Sequence, residues 1–283
     1  THEIIGKSSV KTTHDDKAGV ATGVVQAFQN CLRENGIDPK DVIFVAHSTT
    51  QATNALIEGD VANVGVIGVG PKGVGGWIAK AQTNMKDINL GSGRFIRLKN
   101  RFICDENLSD QLVTDTIKSL VGDGAQVIVA SESYGVDDME NETGICKIAK
   151  DMGLEATAAS EITKLYGLTR RTRTAAINAS ILPKMLNTAN STEQSVKSAG
   201  VEVPLMIMRG DGGVMEISEM KKRPVLTMLS GPAASVMGSL MYLRASNGVY
   251  FEVGGTTTNI GVIKDGRPAI DYSNVGGHRT YIS

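Results

Sequence analysis

At 283 residues the chain is long enough for two domains with sizeable cores, and its net charge of −1 and pI of about 6.4 exclude a global basic field that would recruit nucleic acid. Aromatic residues are only 4%, too few to build stacking platforms for single strands, and no apolar run of about 18 residues exists to span a bilayer. The three cysteines, Cys31, Cys104 and Cys146, are scattered and odd in number, which argues against a disulfide framework or zinc module and fits a reducing cytoplasm.

Asp15-Asp16 precede a helical stretch that runs to about Arg33 and is closed by Asn35-Gly36 in the manner of a C-cap. VIFVAHS (42–48) reads as a buried strand, TTQATNALIEG (49–59) as a helix with a threonine N-cap, and VGVIGVG (64–70) as a second strand. A helix over 109–121, a strand AQVIVAS (125–131), a helix over 137–152 and a strand LEATAAS (154–160) follow. Strands alternating with helices of this length predict βαβ units on a parallel sheet.

After residue 160 the texture changes, and a domain boundary is placed there. A long helical region spans about 170–197, with a break expected near Pro183. VPLMIMRGDGGVMEI (203–217) reads as two strands joined by a turn at Asp211-Gly212-Gly213. LSGPAASVMGSLMYLRAS (229–246) reads as a helix with Ser230 as N-cap. Small residues along one face let it lie close against a sheet or expose its N-terminal amides to an anion.

FEVGGTTTNIGVIKDG (251–266) has two readings. It is a glycine-turn hairpin, or it is a phosphate cradle in which Gly254 and Gly255 let backbone N–H groups approach a ligand while Thr256, Thr257 and Thr258 offer hydroxyl donors. Asp265-Gly266 suits the next tight turn. Gly68, Gly70 and Gly73 form a G-x-G-x-x-G after a strand, but a dinucleotide site also needs a helix opening at the third glycine and an acid about 20 residues on. No Asp or Glu lies close to position 93, so a plain glycine-rich loop is the preferred reading.

Other residues carry paired readings as well. His47 either polarises a substrate carbonyl or is a structural hydrogen-bonder at a strand end. Thr49, Thr50 and Asn54 either line a cleft or cap and pack a helix, and Asp211 is either a catalytic carboxylate or a turn residue. Arg171 and Arg173 pair with an anion or are solvated helix arginines, and Lys221-Lys222-Arg223 reads as a solvated loop. Cys104 and Cys146 have no neighbouring base in sequence to make them nucleophiles.

HSTTQATNALIEGDVANVGVIGV (47–69), RRTRTAAINAS (170–180), MIMRGDGGVM (206–215), RPVLTMLSGPAAS (223–235) and FEVGGTTTNIGVIKDGRP (251–268) occur in this order. Together they resemble the ATP-binding subunit of the hydantoinase/oxoprolinase family, over nearly the whole chain. The resemblance implies an α/β, actin-like ATPase (ribonuclease H-like) fold, incomplete here. Residues 1–160 would form a βαβ-rich N-terminal domain and 161–283 the start of the catalytic domain. It implies ATP-dependent opening of a cyclic amide, of hydantoin or 5-oxoproline type, through phosphorylation of the amide oxygen. The alternatives are an acetone or acetophenone carboxylase-like subunit activating a ketone, and a non-catalytic nucleotide-binding module of reactivase type.

On this resemblance His47 and Asp211 are catalytic candidates, and Gly254, Gly255, Thr256, Thr257, Ser230 and Gly231 hold phosphate. Thr49, Thr50, Asn54 and Arg171 line the substrate cleft, and Glu252 and Asn259 hold Mg²⁺ through water. ATP and Mg²⁺ are the implied cofactors. A small cyclic amide or related carbonyl compound and a second, B-type subunit are the implied partners, in the cytoplasm, with a homo-oligomer left open. The family's first phosphate hairpin is not found ahead of 1–13, so the chain reads as a fragment expected to be inactive alone. Two departures weaken the transfer: the family usually carries aspartate where Glu252 and Asn259 stand, and glycine where Ser48 stands.

Overall fold

The computed structural model describes residues 3–11, 13, 20–244, 246–253 and 258–282. In chain order its elements are α1 (Val20–Glu34), β1 (Val45–His47), α2 (Gln51–Glu58), β2 (Val64–Gly70), α3 (Val74–Thr83), β3 (Ile88–Gly91), β4 (Arg94–Ile96) and β5 (Leu98–Cys104). Then come α4 (Asp110–Gly122), β6 (Val127–Glu132), α5 (Glu140–Asp151), β7 (Glu155–Ala158), α6 (Ala159–Ile162) and α7 (Leu168–Ser198). The remainder is β8 (Leu205–Met208), β9 (Val214–Glu216), α8 (Ile217–Met220), α9 (Ser230–Leu243), β10 (Gly248–Val253), β11 (Thr258–Lys264) and β12 (Arg267–Pro268). The chain forms two compact units: 50–183 with 222–228 and 269–283, and 1–49 with 184–221 and 229–268.

The first of these units is built on a four-stranded parallel sheet in the order β5-β2-β6-β7. Every residue of β2 is buried, as expected for a strand with neighbours on both edges and layers on both faces, and its sequence is accordingly a continuous apolar and glycine run. On one face Ile67, Ile103 and Ile128 meet Val113, Ile117 and Leu120 of α4 and Ile145 and Ala149 of α5. The α4 helix begins as its sequence dictates, with the Ser109 hydroxyl accepting from the Leu112 amide at 3.3 Å.

α3 corrects the reading of the glycine motif as a plain loop. The helix opens at Val74, directly after Gly73, so the G-x-G-x-x-G does join a strand to a helix. The glycines serve close approach: a Cβ at Gly68 would stand 2.2 Å from the Thr83 hydroxyl, one at Gly70 2.8 Å from Ala79 Cβ, and one at Gly76 1.8 Å from the Pro71 carbonyl oxygen. The β3–β4 hairpin, absent from the sequence reading, sits between α3 and β5.

α7 is continuous across Pro183, contrary to the expected break. Proline removes one backbone donor and crowds one preceding carbonyl, which a helix of 31 residues with its apolar face buried absorbs. One of the points at which the chain passes from one unit to the other falls at this proline.

The other unit carries two small sheets. In the first, β1 runs parallel to β8, with His47 opposite Ile207, and β9 is antiparallel to β8. In the second, β10, β11 and β12 form an antiparallel meander. α9 lies against β10 and β11, and the approach is close enough that a Cβ at Gly261 would meet Val236 Cγ2 at 2.6 Å. Ser230 is the first helical residue of α9 and not its N-cap; the cap position is Leu229, held at φ 57°, and no side chain caps the helix. Among the described residues no helix is long and apolar enough to cross a membrane.

Candidate functional site

In the unit holding β1 and α9, hydrogen bonds tie the residues that follow β1 to the start of α9. His47 ends β1, Thr49 follows it, and Ser230 begins α9. The buried Ser230 hydroxyl, freed from capping duty, donates to the Thr49 carbonyl at 2.9 Å and lies 3.4 Å from the Ser48 hydroxyl, which donates to it. Ser48, the departure from glycine, therefore has a partner that glycine would lack. The start of α9 thereby presents the amides of Ser230 and Gly231 without a side-chain cap and without an acidic residue in the first turn, the arrangement that favours an anion. Burial holds the His47 imidazole below its ordinary pKa, so it is neutral at pH 7 and able to accept a proton.

Asp211 sits in the β8–β9 turn. One carboxylate oxygen accepts from the Gly213 amide at 2.9 Å, and the other accepts from the Arg209 guanidinium, so both oxygens are committed to the turn. Glu252 and Asn259 face each other across β10 and β11, and the Asn259 amide donates to Glu252 at 3.2 Å. Gly254, Gly255, Thr256 and Thr257, which join these strands, lie outside the described residues.

Among the described residues no group of three or more histidines, cysteines or acids is placed to cage a metal. One carboxylate and one amide carbonyl do suit Mg²⁺ that keeps most of its waters and takes its remaining ligands from phosphate oxygens. The pair therefore fits a hydrated ion arriving with a nucleotide and does not fit a dedicated protein site.

The other unit holds Thr50, Asn54 and Arg171. Thr50 precedes α2 without capping it through its side chain; its carbonyl accepts from the Asn54 amide at 2.9 Å, and the Asn54 side chain reaches its hydroxyl at 3.5 Å. Arg171 is fully buried, which corrects its reading as a solvated arginine. Its guanidinium donates to the Glu132 carbonyl at 2.5 Å and the Leu165 carbonyl at 3.4 Å, at the C-terminal end of β6. Arg173 is partly buried, and Lys221 closes a 2.6 Å ion pair with Glu193 where a solvated loop was expected.

The sequence reading passed over Glu142, the most deeply buried acid among the described residues. It accepts from the Glu132 amide at 2.8 Å, the Ser160 amide at 2.7 Å and the Ser160 hydroxyl at 3.1 Å, and burial raises its pKa while Arg171 opposes the rise. A signal was there: Glu142 falls on the stripe of Ile145, Cys146 and Ala149, an acid in the i, i+3, i+4, i+7 apolar register of α5. Cys146 itself is buried with its thiol pushed up to about 12, which makes it inert.

Residues 1–153 match the family described as hydantoinase/oxoprolinase N-terminal region, and residues 171–283 match hydantoinase/oxoprolinase. An uncharacterized protein of Methanocaldococcus jannaschii is 27% identical over 158 residues, which are 54% of this chain and 23% of that one. Among solved structures, nucleotide-free acetone carboxylase superposes with a TM-score of 0.71 at 16% identity, covering 94% of this chain and 42% of its own. ATP-dependent caprolactamase from Pseudomonas jessenii superposes with a TM-score of 0.61 at 18% identity, covering 90% and 40%. The chain thus spans about two fifths of the solved relatives and about a quarter of the archaeal one, and at these identities the superpositions show a shared α/β fold. With its two halves matched in order by the two parts of one family, the chain belongs to the hydantoinase/oxoprolinase family.

Proposed function

We propose that this chain is the ATP-binding part of an ATP-dependent hydrolase that opens a cyclic amide. The observation that carries the reading is the family match, N-terminal region first and catalytic region second. A fold shared with a protein named as an ATP-dependent caprolactamase is consistent with it. In this reading the amide oxygen takes the γ-phosphoryl group of ATP, releasing ADP. Water then adds to the activated carbon, rupture of the C–N bond gives the ring-opened amine and an acyl phosphate, and a second water hydrolyses that acyl phosphate to the acid and inorganic phosphate.

The chain's own contribution is positioning and charge. The amides of Ser230 and Gly231 and the backbone and hydroxyls of 254–257 hold phosphate oxygens. Glu252 and the Asn259 carbonyl would hold a hydrated Mg²⁺ through its waters, and that ion would supply positive charge to the phosphate. His47, kept neutral by burial, takes the proton of the attacking water. Asp211 orients the β8–β9 turn rather than reacting, since both of its oxygens are engaged. A second subunit completes the enzyme.

The test is calorimetry of Mg-ATP binding to this chain and to a version extended at its N-terminus, followed by ATP turnover with lactams, hydantoins and 5-oxoproline in the presence of the second subunit. Binding by the extended protein, with turnover that depends on a cyclic amide, is expected. Turnover indifferent to every cyclic amide overturns the assignment. A second reading, a ketone-activating carboxylase subunit, is favoured by the higher TM-score of acetone carboxylase, and bicarbonate-dependent ATP consumption distinguishes it.

A further inference from the structure

The β10–β11 pairing places Val249 opposite Val262 and Phe251 opposite Ile260, so these four side chains and Val253 share one face of the ribbon. Tyr250, Glu252, Asn259 and Gly261 alternate onto the other face, which α9 covers. The first face is bare: Val253 is 80% exposed, Ile260 66%, Phe251 61%, Val249 59% and Val262 49%. Burying aliphatic and aromatic side chains is the main favourable contribution to folding, so a bare face of five withholds much of the stabilisation its sequence can supply. β10 is also an edge strand of its sheet, and among the described residues nothing pairs with its outer side. Sheets that live with a free edge blunt it with lysine, proline or a bulge. β10, GVYFEV, has neither lysine nor proline, no charge on its bare face, and unbroken register with β11.

We propose that this face is an internal packing surface, covered by an apolar layer of polypeptide from outside these 283 residues. Two observations select that occupant. The solved proteins that share the fold over 94% and 90% of this chain are more than twice its length, so each has polypeptide to supply such a layer. A second copy is the weaker occupant, because five side chains on a two-stranded ribbon fall well short of the roughly 800 Å² per partner that a stable dimer buries. The inference is independent of the chemistry proposed above, since it rests only on burial and pairing.

The experiment compares this chain with the same chain extended to the length of its solved relatives. Hydrogen exchange of the β10 and β11 amides and the fluorescence of a dye for exposed apolar surface are read in both. Phe251→Glu is then made in both. Protection of the β10 amides is expected to rise at least tenfold in the extended chain and dye fluorescence to fall several-fold. Phe251→Glu is expected to leave the melting temperature of the 283-residue chain within about 2 °C, as for an exposed site, and to lower that of the extended chain by several degrees. Equal exchange in the two proteins, or equal response to Phe251→Glu, overturns the proposal. So does a concentration-dependent dimer of the 283-residue chain that Phe251→Glu abolishes, which would assign the face to a second copy.

Discussion

The parallel sheet of β2, β5, β6 and β7 and the antiparallel meander of β10, β11 and β12 are made of the same residue types, and they differ in what covers them. VGVIGVG in β2 is buried at every position. GVYFEV in β10 alternates between exposed and half-buried, although three of its residues are Val or Phe on the outward side. The parallel sheet finishes its own core, with α3 on one face through glycine contacts and α4 and α5 on the other. Among the described residues the main cover of the meander is α9. Stability in this molecule is therefore unevenly held, and the residues proposed to meet nucleotide sit on the less complete side, where local opening costs least.

The comparison is broken most sharply in the core of the parallel sheet. Ile128 is fully buried in β6 and packs in the cluster with α4 and α5. Ile128→Ala is expected to lower the unfolding free energy of its unit by about 3–4 kcal/mol, through lost transfer energy and the cavity left behind. Phe251→Ala in β10 is expected to change that of the other unit by less than about 0.5 kcal/mol in this chain, because the side chain is already in water. Urea denaturation followed by circular dichroism measures both, and a loss at Phe251 matching that at Ile128 would erase the distinction.

Next comes the buried carboxylate. Glu142→Ala leaves the amides of Glu132 and Ser160 without an acceptor, each worth about 1–3 kcal/mol when buried and unsatisfied, for a total near 3 kcal/mol. It also removes an acid whose charge favours the ionised Arg171. Glu142→Gln keeps one carbonyl acceptor and is expected to lose about half as much, a ranking that thermal melts of the two variants check. Because the Glu142 pKa is raised, the folded protein holds that proton at pH values where the unfolded chain has released it, so this group's contribution declines as pH rises above 4.5.

Much of this was legible in the sequence where periodicity alone decides structure. β2 was read at its observed ends from an unbroken apolar run, and the helix read over 109–121 is observed as α4, Asp110–Gly122. The failures have physical reasons. α3 was missed because three glycines in and before its first turn lower helix propensity, yet Gly73 is held at φ 81° and Gly75 and Gly76 lie close against Pro71. Ser230 has the composition of an N-cap but spends its hydroxyl on the Thr49 carbonyl, 181 residues away in sequence, which no local rule anticipates. Arg171 carried two readings, anion partner or solvated helix arginine, because nothing in RRTR distinguishes the arginine that is fully buried. For the site, the Glu252–Asn259 pairing follows directly from hairpin register, whereas the engagement of both Asp211 oxygens within its own turn does not.

Gly76 sharpens the contrast from the backbone side. It lies in α3, where a Cβ would stand 1.8 Å from the Pro71 carbonyl oxygen, a backbone atom unable to swing away. In an open helix Gly→Ala stabilises by about 1 kcal/mol, but here overpacking is expected to reverse the sign and cost about 1–3 kcal/mol. Gly144 in α5 has open space around its Cβ position, and Gly144→Ala is the matched control that should stabilise. Melting temperatures moving in the same direction for the two variants would count against close approach as the reason for glycine at 76.

The smallest effect concerns His47, on the side of the molecule that carries the meander. Its imidazole is held below the ordinary value of 6.5 by burial. As pH falls through that value, the unfolded chain takes up a proton that the folded chain does not, so protonation stabilises the unfolded state and stability is lost on acidification. Above it the histidine is neutral in both states and contributes no slope. Wild-type protein is therefore expected to lose more stability between pH 7.5 and 5.5 than His47→Gln, which keeps a polar side chain at the end of β1 but does not titrate. The denaturation midpoints of the two proteins should diverge below about pH 6.5, the ordinary imidazole value, and run parallel above it. Parallel behaviour throughout would mean that His47 titrates as freely folded as unfolded, and its proposed part as a neutral proton acceptor would lose its physical basis.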